Sequence, residues 1–216
     1  MMRRPMHRRE TPAPAWVLLS LLAFAASAAS AQSLPDRLKS ILASPSATAS
    51  AIEGGRKISQ FCANCHGLDG NSKLAEVPNL AGQNPIYLLE QVRKFSAGER
   101  RDEWMEPMIK QLSENERLNV VVFYSSMTVV PAGSKAGSAD GQDLFSHRCV
   151  QCHGPQARGG ERFPRLAGQQ HEYIVRSLTR YRNRTGERIA PEMFAMTAAL
   201  KDSDIQALAD FLSSLK

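Results

Sequence analysis

The sequence predicts an all-α protein that contains two tandem copies of one small domain. Three observations support this fold class. Apolar residues recur at helical spacing, no segment alternates apolar and polar residues as a strand does, and one set of motifs occurs twice. We expect the copies at residues 50–130 and 138–216, because the segment between them has the Gly-, Ser- and Ala-rich composition of an exposed linker.

The two copies carry the same motifs in the same order. A Cys-x-x-Cys-His-Gly motif at 62–67 recurs at 149–154, and a Pro-x-Leu-Ala-Gly-Gln motif at 78–83 recurs at 164–169. The offset stays between 86 and 88 residues, so an internal duplication explains the pattern. Other matched positions are Tyr87 and Tyr173, Phe95 and Tyr181, Gly98–Arg100 and Gly186–Arg188, and Met105-x-x-Met108 and Met193-x-x-Met196.

The N-terminal residues have the features of an export signal. Four arginines within the first nine residues precede an apolar stretch from Trp16 to about Ala29, and small residues follow up to Ala31. This order predicts a secretory signal peptide over residues 1–31, cleaved after about Ala31. An uncleaved membrane anchor is the alternative, but the apolar stretch is shorter than the roughly 20 residues that a span needs.

The charge of the remaining chain is modest. The whole sequence has 27 basic and 21 acidic residues, and the signal segment accounts for four arginines and one glutamate. The expected mature chain therefore has a net charge of about +3. It has no basic stripe with interleaved aromatic residues, so we expect no nucleic-acid partner.

Each expected helix is predicted by a pattern in the sequence. Apolar residues between Leu34 and Leu42 predict a short amphipathic helix before the first copy, whereas Ser44–Ser50 is expected to be mobile. Each copy then predicts three helices: one that leads into the cysteines, one that begins after the Gly-Gln pair, and a last one. In the first copy the last helix is expected to begin at Ser113, because Ser113 and Glu116 have the spacing of a capping box.

The Cys-x-x-Cys-His motif predicts covalently attached haem. Two thiols one helical turn apart can add to the two vinyl groups of haem, and the adjacent histidine then lies against the porphyrin as an iron ligand. A zinc or redox site is the alternative for one isolated motif, but the two motifs use all four cysteines. We expect two covalently bound haem c groups, with thioether bonds from Cys62, Cys65, Cys149 and Cys152 and with iron bound by His66 and His153.

A backbone carbonyl is expected to orient each of these histidines. Pro78 and Pro164 lie 12 and 11 residues after His66 and His153. A ligating imidazole normally donates its second N–H group to such an acceptor. A plain turn before the next helix is the alternative for both prolines.

Methionine is the expected sixth ligand in each copy. Both members of each Met-x-x-Met pair are matched, so the repeat alone does not choose between them. We favour Met105 and Met193, which lie seven residues before Leu112 and Leu200 and leave room for the chain to cross the haem face. Met108 and Met196 are then expected to be core residues at the haem edge.

Two further arguments bear on which side chain is the sixth ligand. Pro107 is expected to keep Glu106 out of helical conformation, which would place Met105 in an extended loop. His147 and His171 are rival ligands in the second copy, but we expect both at the surface, because one shares the cysteine helix and the other is matched by a proline.

Three more side chains are candidates for the haem surroundings. Arg100 and Arg188 lie in matched Gly-Glu-Arg turns and are suited to bind haem propionates, with a solvated surface position as the alternative. Trp104 is expected to pack in the haem pocket.

These motifs resemble class I cytochrome c. The likeness rests on the Cys-x-x-Cys-His-Gly motif with Asp69–Ser72 after it, on the run at 78–83, on Tyr87–Leu89 and on the helix start at Leu112-Ser113. Their duplication over about residues 50–216 resembles the dihaem cytochrome c4 family. The resemblance implies two tandem class I cytochrome c domains related by approximate twofold symmetry. It also supports Met105, and not Met108, as the axial ligand.

The second copy departs from the first at two of these positions. Arg165 stands in place of Asn79, and Lys201 stands where Ser113 begins the last helix of the first copy. Neither change affects an expected haem ligand.

The leading interpretation is an electron carrier and not an enzyme. The resemblance implies a periplasmic protein that passes electrons to a redox partner, such as a respiratory complex or a terminal oxidase. With both axial positions filled, iron changes oxidation state but offers no site to a substrate. An electron-transfer subunit of a dehydrogenase complex and a dihaem peroxidase-type enzyme stay open as alternatives, as does peripheral association with a membrane.

Overall fold

The computed structural model describes residues 32–132, 137–185 and 188–216, and within them it confirms the all-α fold class. The predicted signal peptide, most of the linker, and Gly186 and Glu187 lie outside the described residues. In the described part, the one strand-like pairing is a single antiparallel bridge between Arg100 and Arg188. The helices are α1 (Leu34–Ala43), α2 (Pro45–His66), α3 (Pro85–Ser96), α4 (Met105–Gln111) and α5 (Glu114–Ser125) in the first half, and α6 (Ala139–Arg148), α7 (Val150–His153), α8 (His171–Asn183), α9 (Pro191–Thr197) and α10 (Asp202–Ser214) in the second.

The core of the first copy lies where α2 and α3 pack against α5. Leu118, Val121, Phe123 and Tyr124 of α5 are buried there. Helix α5 begins as predicted: the Ser113 hydroxyl accepts a hydrogen bond from the Glu116 amide at 3.3 Å, and the Glu116 carboxylate accepts one from the Ser113 amide at 2.8 Å.

Glycine allows the cysteine-bearing helix to approach the last helix closely. A Cβ atom on Gly55 of α2 would overlap the carbonyl oxygen of Asn119 in α5. Gly141 of α6 has the matching place in the second copy, where a Cβ atom would overlap the carbonyl oxygen of Ala207 in α10. The two crossings place the helix that precedes each motif against the last helix of the same copy.

The second copy repeats this packing with one local change. Helix α10 packs against α6 and α8, and α8 packs against α9. The helix that leads into the motif is interrupted at Cys149, so that α6 ends at Arg148 and α7 carries His153. In the first copy α2 runs without a break to His66.

The residues before residue 50 are part of the folded first copy. The amphipathic helix expected near Leu34 is present as α1, and Leu38 is completely buried. The expectation of a mobile Ser44–Ser50 segment is wrong, because α2 already begins at Pro45. Ser44 caps this helix, with its hydroxyl 3.3 Å from the Ala47 amide, and Thr48 donates a hydrogen bond to the Ile41 carbonyl at 2.8 Å.

Among the described helices, none is both long enough and apolar enough to span a bilayer.

Candidate haem-binding site

Each copy contains a cavity next to its Cys-x-x-Cys-His motif. The first has a volume of about 180 Å³ and is lined by Cys62, His66 and Met105, with apolar side chains from α3, α4 and α5. The second has a volume of about 460 Å³ and is lined by both motif cysteines, His153 and Met193. The residues that line both cavities are Tyr87, Gln91, Gln169, Tyr173, Ser177, Tyr181 and Arg188.

The two motif histidines are buried and held in one orientation. His66 ends α2 and His153 ends α7, and each is 6% exposed. The Nδ1 atom of His66 lies 2.9 Å from the Pro78 carbonyl oxygen, and that of His153 lies 3.1 Å from the Pro164 carbonyl oxygen. A carbonyl only accepts, so Nδ1 carries the proton and Nε2 keeps its lone pair. The hydrogen bonds expected from the sequence are therefore present.

The protonation state of these histidines also suits a metal ligand. Burial lowers the pKa of His66 and of His153, and this effect outweighs the opposite effect of the proline carbonyls. Both imidazoles are then neutral at neutral pH, which is the form in which an imidazole binds a metal.

None of the four motif cysteines is paired with another in a disulfide. Cys62 and Cys149 are partly buried, whereas Cys65 and Cys152 are exposed. Burial raises the pKa of the Cys62 thiol, and it raises the pKa of the Cys149 thiol to about 11. Within the described residues, no group of three or more His, Cys, Asp or Glu side chains is placed to hold a metal ion.

The methionines lie in short helices rather than in extended loops. Met105 is the first residue of α4 and lines the first cavity, which Met108 does not. Met193 and Met196 of α9 both line the second cavity, but Met196 is 50% exposed. The prediction that Pro107 keeps Glu106 out of a helix is wrong. Pro107 lies in the first turn of α4, where the missing N–H group has no helical partner to lose.

The other sequence candidates divide into two groups. Trp104 does not line either cavity and is 72% exposed, so its predicted packing in the haem pocket is wrong. The pattern of residues does not reveal this difference, because Trp104 directly precedes Met105, which begins α4 and does line the first cavity. His147 is exposed and His171 contacts Glu172 and Asp210, and neither lines a cavity.

Arg100 and Arg188 lie at the junction of the two cavities. Arg100 donates hydrogen bonds to the Gln91 side chain at 2.9 Å and to the Tyr173 hydroxyl at 3.3 Å. Arg188 donates to the same Tyr173 hydroxyl at 3.4 Å and to the hydroxyl of Tyr87. Among the described residues, the hydrogen-bond partners of these two guanidinium groups are thus a glutamine and tyrosines, and not carboxylates.

This junction has a positive potential that favours an anion. Burial acts to raise the pKa of the Tyr173 phenol, but the guanidinium groups of Arg188 and Arg100 outweigh it and lower that pKa. Haem combines an apolar macrocycle with two carboxylates. An apolar cavity with a positively charged region at one end therefore fits haem. The two cavities here share such a region at their junction, where Arg100 and Arg188 lie.

A duplicated helical fold in which a Cys-x-x-Cys-His motif with a neutral histidine lies next to a methionine-lined cavity in each copy defines a c-type cytochrome with two haem groups. Comparison with known proteins agrees with this class. The model of the cytochrome c family matches residues 52–127 and again 138–216. Cytochrome c4 of Stutzerimonas stutzeri is 31% identical over 185 residues, which cover 76% of this chain and 88% of that protein. The chain belongs to the cytochrome c family and, within it, to the dihaem cytochrome c4 family.

Two further relatives extend the comparison. The crystal structure of reduced recombinant cytochrome c4 from Pseudomonas stutzeri matches with a TM-score of 0.70 at 29% identity, over 76% of this chain and 98% of that chain. A thiosulfate dehydrogenase electron acceptor from Thiomonas intermedia is 31% identical over 71% of this chain and 77% of its own length. The protein is thus an electron carrier with two covalently bound haem c groups, and it is not an enzyme.

Sequence reasoning missed the residues that join the two copies. Tyr87 and Tyr173 were visible as matched positions, but their hydrogen bonds to arginines of the opposite or same copy were not. The same holds for Gln83 and Gln169, the last residues of the repeated Pro-x-Leu-Ala-Gly-Gln motif. A matched residue indicates a shared role, but it does not tell which copy that role serves.

Proposed function

We propose that this protein is a periplasmic carrier that delivers electrons to a terminal oxidase of a respiratory chain. In this proposal Cys62, Cys65, Cys149 and Cys152 form the thioether bonds, and His66 with Met105 and His153 with Met193 are the axial ligands. The observation that supports it is that each cavity is lined by cysteine, histidine and methionine side chains, with the histidine Nδ1 atom already hydrogen-bonded to a proline carbonyl.

The residues that line each cavity have different roles. Pro78 and Pro164 fix the tautomer of the histidines and make Nε2 a stronger donor to a metal. The methionine thioether is a weak donor that favours the reduced state, which suits delivery to a strong oxidant. When bound, haem supplies a one-electron couple. The apolar walls exclude water, so that little solvent reorganises when the charge changes.

The shared junction supports the transfer of electrons between the two halves of the molecule. Arg188 and the tyrosines Tyr87, Tyr173 and Tyr181 line both cavities, so the anionic edges of two haem groups would meet there. Arg188 reaches Tyr87 across the junction and Arg100 reaches Tyr173, which fixes the two halves relative to each other. We expect both guanidinium groups to bind propionates.

The experiment is the oxidation of the reduced protein by membranes that contain the terminal oxidase of the same organism. We expect rapid, cyanide-sensitive oxidation of both haem groups, and a rate that falls as salt weakens the association of the two proteins. The matched control is the Met105→Ala protein, which keeps the surface of the carrier except at one ligand. Oxidation that is slow and insensitive to cyanide would contradict the proposed pathway.

A second candidate is the electron acceptor of a dehydrogenase. It is favoured by the relative from Thiomonas intermedia, whose name describes an electron acceptor of thiosulfate dehydrogenase. Mixing the oxidised protein with a thiosulfate dehydrogenase and thiosulfate distinguishes the two. Reduction at a rate that exceeds the rate of oxidation by membranes would favour the acceptor role.

The periplasmic location rests on the predicted signal peptide. Mature protein from the periplasmic fraction is expected to begin at Gln32, and N-terminal sequencing tests this directly. A mature protein that begins before Trp16 would contradict cleavage.

A further inference from the structure

Each copy sends one glutamine side chain into the other copy. The Gln83 side chain accepts a hydrogen bond from the Arg165 amide at 2.7 Å and donates one to the Arg165 carbonyl at 2.9 Å. The Gln169 side chain makes the same pair of bonds with Asn79, at 2.6 Å and 3.0 Å. The two contacts are reciprocal, because the glutamines and their targets are at matched positions of the repeat.

The peptide groups that these glutamines bind are the ones that hold the histidines. The Arg165 N–H group and the Pro164 carbonyl belong to one peptide unit, and the Pro164 carbonyl accepts from His153. In the same way, the Asn79 N–H group shares a peptide unit with the Pro78 carbonyl, which accepts from His66. A continuous chain of hydrogen bonds therefore runs from a glutamine of one copy to the histidine of the other.

We propose that Gln83 is a positioning residue for His153 and that Gln169 is one for His66, so that each copy sets the reduction potential of the haem in the other. This inference rests on the proposed ligation of iron by the two histidines. A peptide N–H group that donates a strong hydrogen bond polarises its own carbonyl and makes it a better acceptor. The carbonyl then draws the Nδ1 proton of the histidine, which makes Nε2 a stronger donor and stabilises oxidised iron.

Burial makes the effect of each glutamine larger. Gln83, Gln169 and Asn79 are 6%, 7% and 5% exposed, so water does not replace the lost partner easily. Removal of the glutamine is expected to weaken the carbonyl as an acceptor, and the potential of the haem in the opposite copy then rises.

Neighbouring residues provide matched controls for this inference. Asn84 also crosses to the second copy, where it donates to the carbonyls of Arg158 and Phe163 at 3.1 Å and 2.8 Å. Neither of these carbonyls belongs to the peptide unit that Gln83 binds. Gln170 crosses in the other direction to the Ser72 carbonyl at 2.7 Å and to the Asn79 side chain at 3.0 Å. Both residues therefore contribute to the contact of the copies without bonding to the histidine acceptors.

The experiment compares Gln83→Met and Gln169→Met, which keep the side-chain volume but remove its hydrogen bonds, with Asn84→Leu and Gln170→Met in the full holoprotein. NMR spectra recorded during a redox titration follow His66 and His153 separately. We expect Gln83→Met to change the reduction equilibrium of the second haem about threefold, which is roughly 30 mV upward for one electron. The first haem should change less, because Gln83 lines the first cavity but does not bond to the peptide unit that holds His66. The Nδ1–H resonance of His153 should move more than that of His66. Gln169→Met should give the converse.

The outcomes separate this inference from the proposed ligation. If the ring protons of either histidine lack the large upfield shift of an axial ligand in the reduced protein, the ligation itself is wrong. If they have it and Gln83→Met shifts both potentials equally, or shifts neither, the positioning role is wrong. If Asn84→Leu shifts the potential of the second haem as much as Gln83→Met does, the effect comes from general contact between the copies and the positioning role is wrong. Gln83→Glu keeps the acceptor oxygen and must not raise the potential, which tests the inference even if the methionine variant folds poorly.

Discussion

Arg188 of the second copy donates a hydrogen bond to the hydroxyl of Tyr87 in the first copy. The guanidinium group also lies over the ring of Tyr181, 5.2 Å from its centroid, and the matched Arg100 lies 4.5 Å from the centroid of Phe95. Each arginine is therefore fixed by an aromatic ring of its own copy while it contacts groups at the shared junction. Arg188, which lines both cavities, is therefore a fixed positive charge next to each of them.

We expect Arg188→Gln to lower the reduction potentials of both haem groups. A nearby positive charge stabilises the extra electron of the reduced state, and its loss is worth on the order of 1 kcal/mol at an effective dielectric constant near 20. A spectroscopic redox titration measures the change. Lys57→Gln is the control, because the Lys57 side chain is 75% exposed and lines neither cavity. An increase in either potential would contradict a role in holding propionates.

Met105→Ala is expected to abolish the weak far-red band of one methionine-bound haem and to lower the potential of that haem markedly. The reason is that Met105 lines the first cavity, and loss of a thioether ligand destabilises the reduced state. Met108→Ala is the matched control in the same helix, and it should keep both the band and the potential. If Met108→Ala removes the band and Met105→Ala does not, the ligand lies one helical turn further along the chain.

Gly55→Ala is expected to destabilise the first copy by about 1–3 kcal/mol, because the new methyl group overlaps the backbone of α5. Chemical denaturation followed through the haem absorption of each copy measures the loss. Gly54→Ala is the control: its Cβ atom meets only the side chain of Asn119, which can move aside. Equal losses for the two variants would show that the crossing of α2 and α5 tolerates a methyl group at Gly55.

A double change of Cys149→Ala and Cys152→Ala is expected to remove the second haem and unfold the second copy. The second cavity of about 460 Å³ lies among the core residues Leu208 and Leu212, so the copy depends on haem to complete its core. Limited proteolysis should then cleave within 138–216, while the first copy keeps its haem. A second copy that resists protease without haem would contradict this dependence.

The sequence predicted the groups whose chemistry depends on local spacing. The Cys-x-x-Cys-His motif and the start of α5 at Ser113 are short-range patterns, since their residues lie within one or two helical turns. The hydrogen bonds from the histidines to Pro78 and Pro164 were also predictable, because a proline follows each motif histidine at a similar spacing, 12 residues in one copy and 11 in the other.

What could not be predicted depends on contacts that local rules do not describe. The rule that a residue before proline avoids helix failed at Glu106, because the first turn of a helix tolerates proline. The segment at 44–50 has the composition of a loop, yet a serine cap, a proline in the first turn and packing against α1 make it helical. The contacts of Gln83 and Gln169 depend on how the two copies face each other, on which a single sequence carries no information.

Asn79 and Arg165 hold matched positions, but only Asn79 places its side chain between the copies. Its amide nitrogen donates to the Gly168 carbonyl at 3.0 Å, whereas the Arg165 guanidinium donates at 3.1 Å to Ala167 in its own copy. In a symmetric homodimer every substitution appears on both sides of the interface. Because both halves lie in one chain here, a residue can be replaced on one side alone. Fusion of the two copies has therefore released each half from the requirement to complement itself, and the halves are free to acquire different properties.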